Sequence, residues 1–507
     1  MPTLGETIRS RIDQHVGPTL EDYQRRLRRL TRPKIIRDVV WGFNRFQPYE
    51  IALIDSPPFQ RLRNISQTSL ALFTYPCSVH SRFEHCLGAA AVASRMLDAI
   101  EDRTRERNEV LRLETRLATL LHDLSHGPLS HTSEKFYERL PDPNGNPIFG
   151  PQGSLAAESR SLYGNAQASE ILTYFLLTTT SFRKLWGKIV EMYGGVEANL
   201  SRVNLDRLAS MILGVDSLVG GEGRFYRQVV NGPFDADKLD YLSRDGYFTG
   251  LEIVVDVERL PHTMTVIRKG AETQLGVVGS GASVLEQVLF AKTQLFSTMY
   301  HHHKVRAAHQ MAMHLLGKIA ALGHRPRGLD LNDPVSFLFL DDYDLLSCSG
   351  NPEIDAIVRR IKDRALPLRA LVISFPCFQD PQSRENFNRL TEDDLAQIGG
   401  EVESELGLQP GQVMFDLPDP PRLMGTGQTP VELSPPTPLS EEGVIVPLQV
   451  LYPAGAWAAA YAGYRKMAYV FTTADDRRAV GTAVMHALKV SPRGVILNNS
   501  ALDLAKV

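Results

Sequence analysis

Residues 120–131 read Leu-Leu-His-Asp-Leu-Ser-His-Gly-Pro-Leu-Ser-His. The adjacent pair His122-Asp123 closes an apolar helical stretch formed by Leu113, Leu117, Leu120, Leu121 and Leu124, and Gly127-Pro128 then stops the helix. Both side chains are thereby expected at the rim of a buried helix. His126, His131 and Glu134 follow within a turn or two. A packed core has little use for so many imidazoles, because each buried polar group needs a partner.

Two distant segments carry matching ligand types. His85 ends His80-Ser-Arg-Phe-Glu-His, and Asp237 lies in Asp235-Ala-Asp-Lys-Leu-Asp-Tyr241 after an Asn231-Gly-Pro233 turn. That turn delivers Asp235 and Asp237 to the beginning of a helix, where carboxylates are favoured by the dipole. His85, His122, Asp123 and Asp237 make a mixed nitrogen and oxygen shell suited to one divalent transition metal, iron, manganese or zinc, with positions left for water. Such an ion lowers the pKa of bound water near neutrality, which is what hydrolysis of a phosphate ester requires.

These motifs resemble the HD-domain deoxynucleoside triphosphate triphosphohydrolases. The likeness runs from about Ile36 to Arg306 through Ser-Pro-Pro-Phe-Gln-Arg-Leu-Arg63, Ser-Arg-Phe-Glu-His85, His122 to His131, Asp-Ala-Asp-Lys-Leu-Asp-Tyr241 and Tyr-His-His-His303. The resemblance implies a mainly α fold, with an HD-type helical metallohydrolase core over 1–325. It implies His85, His122, Asp123 and Asp237 as the metal ligands. The implied substrate is a dNTP, split into deoxynucleoside and inorganic triphosphate, with Mg accompanying the triphosphate.

By the same resemblance, Arg82, Lys238, Lys292, Tyr300 and His302 fall where relatives hold triphosphate or sugar. Gln67 and Asp245 fall where they read the deoxyribose 3′-hydroxyl, and Tyr241 where ribonucleotides are excluded. His126 with Glu134 would orient or protonate the leaving 5′-oxygen, with His131 facing the phosphates. Relatives carry a further His-Glu pair downstream; here Asn165-Ala166 stands in that place. An amide cannot act as a general acid. Either His126 suffices, or turnover is slow, or Glu170 serves instead. Asp55, Gln60 and Arg63 match positions that contact an effector dNTP or NTP in regulated, tetrameric relatives. The alternative is that Asp55 caps a helix opened by Pro57-Pro58.

The residues alone also exclude much. Of 507 residues, 43% are hydrophobic, enough for a large core, and a net charge of −3 gives no basic field for nucleic acid. Four cysteines show no metal-type pairing and no disulfide framework. No basic-then-apolar leader and no membrane-length apolar run occurs, so cytoplasm is the expected location. No Walker-type loop occurs, which disfavours a P-loop nucleotidase. The three-His run 301–303 cannot face one ion, because consecutive helical residues point in different directions. Rivals to the dNTPase reading are a mono- or cyclic-nucleotide phosphohydrolase and a catalytically weak nucleotide-sensing scaffold. A homo-oligomer, tetramer or dimer, and a role in nucleotide balance or phage defence follow only by analogy.

Helices are expected over 5–31, from Glu84 to Ile100 and in one long run from Ala282 to Leu322, with an exposed loop over Pro141–Ser154. After Arg325 a smaller α+β lobe (326–507) is expected. Its strands are 368–375, 443–451 and 466–473, a Pro/Gly-rich loop lies near 410–438, and a helix runs from Asp475 to Leu488.

Overall fold

The computed structural model describes residues 2–253, 255–374, 381–418, 426–434, 443–453, 456–457 and 467–488. Its first two thirds are mainly helical, and one hydrophobic core joins the N-terminal helix Leu4–Arg26 to residues as distant as Phe471. At the centre lies the His85 helix, Arg82–Thr104. Ser81 and Glu84 start it with reciprocal caps, Ser81 Oγ accepting from Phe83 N–H and Glu84 accepting from Ser81 N–H at 2.9 Å. Beyond the first turn it buries Ala89, Ala90, Ala93, Met96, Leu97 and Ile100. A helix apolar on nearly every side belongs inside a bundle.

Two neighbours complete the frame. The His122 helix, Glu109–Leu121, begins at an Asn108 cap and buries Val110, Leu113, Leu117 and Leu120 along one face. The Asp237 helix, Ala236–Thr249, begins where Asp235 Oδ1 accepts Lys238 N–H at 2.9 Å. All three helices therefore end or begin at one point, and that is where the polar groups gather.

Three sheets flank this core. Strands β1 (Lys34–Asp38) and β2 (Gly42–Phe46) form an antiparallel hairpin in the register Lys34↔Phe46. Strands β3 (Met264–Lys269) and β4 (Glu272–Val278) form a second antiparallel hairpin. In the C-terminal region lie β5 (Leu368–Ser374), β6 (Val413–Asp416), β7 (Pro430–Ser434), β8 (Val444–Pro447) and β9 (Met467–Thr472). β7 pairs parallel to β4 and antiparallel to β8, so one sheet of order β3-β4-β7-β8 contains strands from both sides of residue 325. The other sheet, β5-β9-β6, is antiparallel and carries its own small core with Phe387, Val402, Val480 and Val484. Among the described residues no helix is long and apolar enough to cross a membrane.

Several expectations change. The N-terminal helix ends at Arg26 rather than 31. The expected helix 282–322 is broken: Ala282–Leu295 passes into a π turn, Phe296–Tyr300, and a new helix starts at His303. His301 N–H donates to Phe296 O at 2.9 Å, and His302, extended at ψ 128°, caps the next helix. The Pro/Gly-rich stretch 410–438 contains β6 and β7, while its 419–425 and 435–438 lie outside the described residues. The strand expected over 443–451 stops at Pro447, which has no N–H for a ladder, and Leu448–Leu451 turns into a short helix. The 141–154 loop is irregular as expected, but Ile148 and Phe149 are buried in it.

Candidate metal and phosphoryl site

His85 stands in the first turn of its helix, where its ring is wholly buried. Its Nδ1 meets Asp240 Oδ2 at 2.7 Å, which turns Nε2 toward the ends of the other helices. His122 is oriented the same way, its Nδ1 lying 2.7 Å from Thr119 O. The two Nε2 atoms are 3.3 Å apart. Asp237 Oδ1 lies 3.0 Å from His85 Nε2 and 3.7 Å from His122 Nε2. Asp123 reaches both rings, Oδ1 3.3 Å from His122 Nε2 and Oδ2 3.6 Å from His85 Nε2.

Atoms at these separations would suit a shared divalent ion, whose bonds to such ligands run roughly 2.0–2.2 Å. His85, His122 and Asp237 thus form a group able to hold a metal ion. Burial opposes a charged His85, but its bonds to Asp237 and Asp240 overcome that and push its pKa up to about 10. Burial likewise opposes ionisation of Asp237, and the two imidazoles hold its carboxyl well below the ordinary range. A carboxylate and imidazoles this close, with every outward ring nitrogen already engaged, fit a divalent cation.

Behind the ligands stands a ring of residues with no motif of its own. Asp240 accepts from Trp41 Nε1 at 2.5 Å and from Arg244 Nε at 2.8 Å, and Arg244 also donates to Asp38 at 2.8 Å. Gly88 is what lets this pair lie against the His85 helix. A Cβ there would stand 2.0 Å from Asp240 Oδ1 and 2.2 Å from Arg244 Nη2. Gly88→Ala is therefore expected to displace Asp240, free the His85 ring and weaken metal binding by about 10–100-fold. Metal titration by isothermal calorimetry reads this directly; wild-type affinity in that variant would show that Asp240 does not set the ring.

The remaining candidate residues surround the ligands unevenly. Arg82 Nη1 donates to Asp123 Oδ2 at 2.5 Å and its Nε to Ser130 Oγ at 3.0 Å, while its buried Nη2 has no partner among the described residues. His126 Nε2 lies 3.2 Å from Asp123 Oδ1, and burial and Arg82 lower its pKa to about 4. Glu134 bonds His131 Nδ1 at 2.8 Å rather than His126, because the two are three apart on one helical face. Its other oxygen accepts Ser169 N–H at 3.0 Å. Burial works against that carboxylate, but His131 and His126 hold its pKa low. The two histidine rings meet edge to face at 5.0 Å.

Lys238 Nζ donates to Asp235 Oδ2 at 2.5 Å, beside Asp237. Asp245 takes a hydrogen bond from Tyr300 OH, and its Oδ1 lies 2.7 Å from His80 Nε2. Tyr241 lies among Asp235, Asp237 and Asp245, and burial raises its phenol pKa. Gln67 donates its backbone N–H to His80 O at 3.0 Å, and its buried Oε1 has no partner among the described residues. Lys292 packs over Phe296 at 6.0 Å, and Phe296 meets Tyr300 at 5.0 Å. His302 instead faces Tyr75 at 6.1 Å and stacks on His303 at 4.6 Å, toward Arg369 of β5.

Asn165 is exposed in the turn before the helix Ala168–Leu177. Glu170, in the first turn of that helix, accepts from Asn231 Nδ2 at 3.0 Å and lies near Glu134, Lys238 and Asp237. Burial pushes its pKa up to about 7.

Asp55 ends the helix Pro48–Ile54 and sits 3.6 Å from Lys34 Nζ, while Ser56, not Asp55, precedes Pro57-Pro58 as the cap. Arg63 donates Nε to Gln60 Oε1 at 2.9 Å and lies 3.5 Å over the Phe83 ring.

Comparison with known proteins gives this arrangement a context. Residues 82–157 match the HD domain and residues 255–496 the HD associated region. The chain is 29% identical over 331 residues to an uncharacterised protein of Methanocaldococcus jannaschii, covering 64% of this chain and 58% of that one. It is 29% identical over 354 residues to the deoxynucleoside triphosphate triphosphohydrolase SAMHD1 homolog of Dictyostelium discoideum, covering 66% and 59%. The human deoxynucleoside triphosphate triphosphohydrolase SAMHD1 is 26% identical over 281 residues, covering 53% and 42%. The chain thus spans about three fifths or less of the length of these relatives. A hypothetical protein from Aquifex aeolicus shares the fold at a TM-score of 0.61 and 24% identity, over 89% of this chain and 99% of that one.

Proposed function

Because the chain belongs to the HD-domain proteins that carry the HD-associated region, we propose that it is a metal-dependent phosphohydrolase acting on deoxynucleoside triphosphates. The observation that carries the reading is the convergence of His85, His122, Asp123 and Asp237 beside Arg82, whose buried Nη2 has no partner among the described residues. That set would hold a divalent ion, which when bound would supply Lewis acidity toward a phosphoryl oxygen and toward water. The chain's own residues then do the rest. Arg82 and Lys238 offset triphosphate charge, Lys238 by exchanging its bond to Asp235 for a phosphate oxygen. Asp245 and Gln67 offer acceptors to a sugar hydroxyl, and Tyr241 fills the space between Asp245 and Asp237.

His126, neutral and buried beside Asp123, is the group placed to move a proton at the leaving 5′-oxygen. Burial is the larger cause of the low His126 pKa and the Arg82 charge the second; triphosphate charge beside Arg82 would offset the second. Glu134 holds His131 at the mouth, facing the phosphates. The products are deoxynucleoside and inorganic triphosphate. Incubating metal-loaded protein with each dNTP, dNMP and cyclic nucleotide and separating the products by chromatography tests this. Triphosphate release from dNTPs alone supports the reading; turnover of only monophosphates or cyclic nucleotides, or of nothing, overturns it.

Asp55, Gln60 and Arg63 form an edge able to take a guanine-type base, with an acceptor at Asp55 and donors at Arg63. Arg63 lies on Phe83, next to Arg82, which gives an effector there a short path to the site. A dNTP or NTP bound there would favour a homo-oligomer, tetramer or dimer, in which the site is more active. Asp55→Ala is then expected to abolish stimulation of one nucleotide's hydrolysis by another while metal content stays at wild-type level. Mixed-nucleotide kinetics with light scattering check it; stimulation surviving in the variant would exclude Asp55.

A further inference from the structure

Leu129 and Ser130, between His126 and His131, are consecutive residues with φ of 58° and 52°. Ser130 has ψ −125°, a conformation that non-glycine residues keep only where the surroundings hold them. The kink has a use: it aims Ser130 Oγ at Arg82 Nε, 3.0 Å away, and at Ser66 O. Local bonds hold the turn in part: Ser130 N–H donates to Gly127 O at 3.1 Å, Leu129 O accepts from Thr132 N–H at 3.0 Å, and Ser130 O accepts from Ser133 Oγ at 3.2 Å and from Glu134 N–H at 3.3 Å. The Leu129 N–H, which none of these bonds uses, is held from far along the chain.

Asp342 begins the helix Asp342–Leu346, inside the region that matches the HD-associated model and outside the HD domain proper. Its Oδ1 accepts Leu129 N–H at 2.6 Å and its Oδ2 accepts Ser66 N–H at 2.9 Å. One carboxylate therefore ties the strained turn to the segment carrying Gln67. Arg61 closes the same joint, donating to Leu340 O at 2.7 Å, Leu124 O at 2.9 Å and His126 O at 2.7 Å.

We infer that Asp342 is a positioning residue through which the associated region holds the Leu129–Ser130 turn, and with it Arg82 and Gln67, in register with the metal ligands. The inference rests on the reading of Arg82 and Gln67 as substrate contacts given above. Burial raises the carboxyl to about 6, with the Leu129 and Ser66 N–H groups opposing, Asp341 adding and Arg61 opposing. At neutral pH the group is thus ionised, and both hydrogen bonds are charge-assisted.

Asp342→Asn keeps the shape but turns an NH₂ toward one of two N–H donors. In the metal-loaded full chain, hydrogen exchange at the Leu129 and Ser66 amides is expected to quicken by about 10–100-fold. The Leu97 amide, in the middle of the His85 helix, is expected to be unchanged. With an equimolar dNTP mixture, kcat/KM is expected to fall by a similar factor while bound metal per chain stays the same. Asp342→Glu, which keeps both oxygens, is expected to recover part of each effect, and it carries the test if the asparagine variant does not fold. Unchanged exchange at both amides, or quickened exchange with wild-type kcat/KM, overturns the inference. A wild-type chain that hydrolyses no dNTP overturns the substrate reading instead, and the exchange comparison still decides whether Asp342 holds the turn.

Discussion

His122→Ala or Asp123→Ala is expected to leave the purified chain without stoichiometric metal and to reduce dNTP hydrolysis to background. Each removes one of the four proposed ligands, whose atoms stand 3.0–3.7 Å apart. Asp123→Ala does more, since Asp123 also holds Arg82 at 2.5 Å and His126 at 3.2 Å. Without it, an arginine and a histidine lose a buried partner and the cost extends beyond the metal. Elemental analysis beside turnover separates the effects: a variant with full metal content and normal turnover would remove these residues from the site.

The second large effect is expected at His126. Its alanine variant should retain metal yet lose about 10²–10⁴-fold in kcat, the usual range for a positioned proton-transfer group. His301→Ala should be near silent. The backbone C=O of His301 accepts from Tyr469 OH at 3.1 Å, a bond that alanine preserves, and its ring packs edge-on to Phe296 at 5.6 Å. Steady-state kinetics on both variants decide the matter. Equal and small effects would leave His126 without a role in proton transfer.

How far the site could be read from the sequence follows from how local its causes are. His85, His122, Asp123 and Asp237 each come with a neighbouring signal: a Ser81–Glu84 capping box, an apolar stripe ended by Gly-Pro, and an Asp235 cap. Local rules place such residues at helix ends, and helix ends are where these three helices meet. Asp240 and Arg244 were within reach of the same reasoning, since they follow Asp237 at spacings that keep one helical face. Trp41, which completes that ring, is 199 residues from Asp240 and carried no signal at all.

The misread elements have non-local causes. The break after Tyr300 coincides with a bond from its hydroxyl to Asp245, 55 residues earlier, and with His302 acting as a cap. Periodicity alone cannot distinguish that from a continuous helix. The β1–β2 hairpin exposes Ile35 and Phe43 and so lacks the alternation that marks a half-buried strand. β7 forms because β4, from the first half of the chain, offers it a parallel edge. Asp342 belongs with these: its acceptor role toward Leu129 spans 213 residues.

Isotope transfer tests the central claim most directly. Hydrolysis of a dNTP by the metal-loaded chain in H₂¹⁸O is followed by mass spectrometry of both products. Attack of water on the α-phosphorus, with the 5′-oxygen leaving, places one ¹⁸O in inorganic triphosphate and none in the deoxynucleoside. Label appearing in the deoxynucleoside, or products consisting of pyrophosphate and a labelled monophosphate, would contradict the assignment of this site.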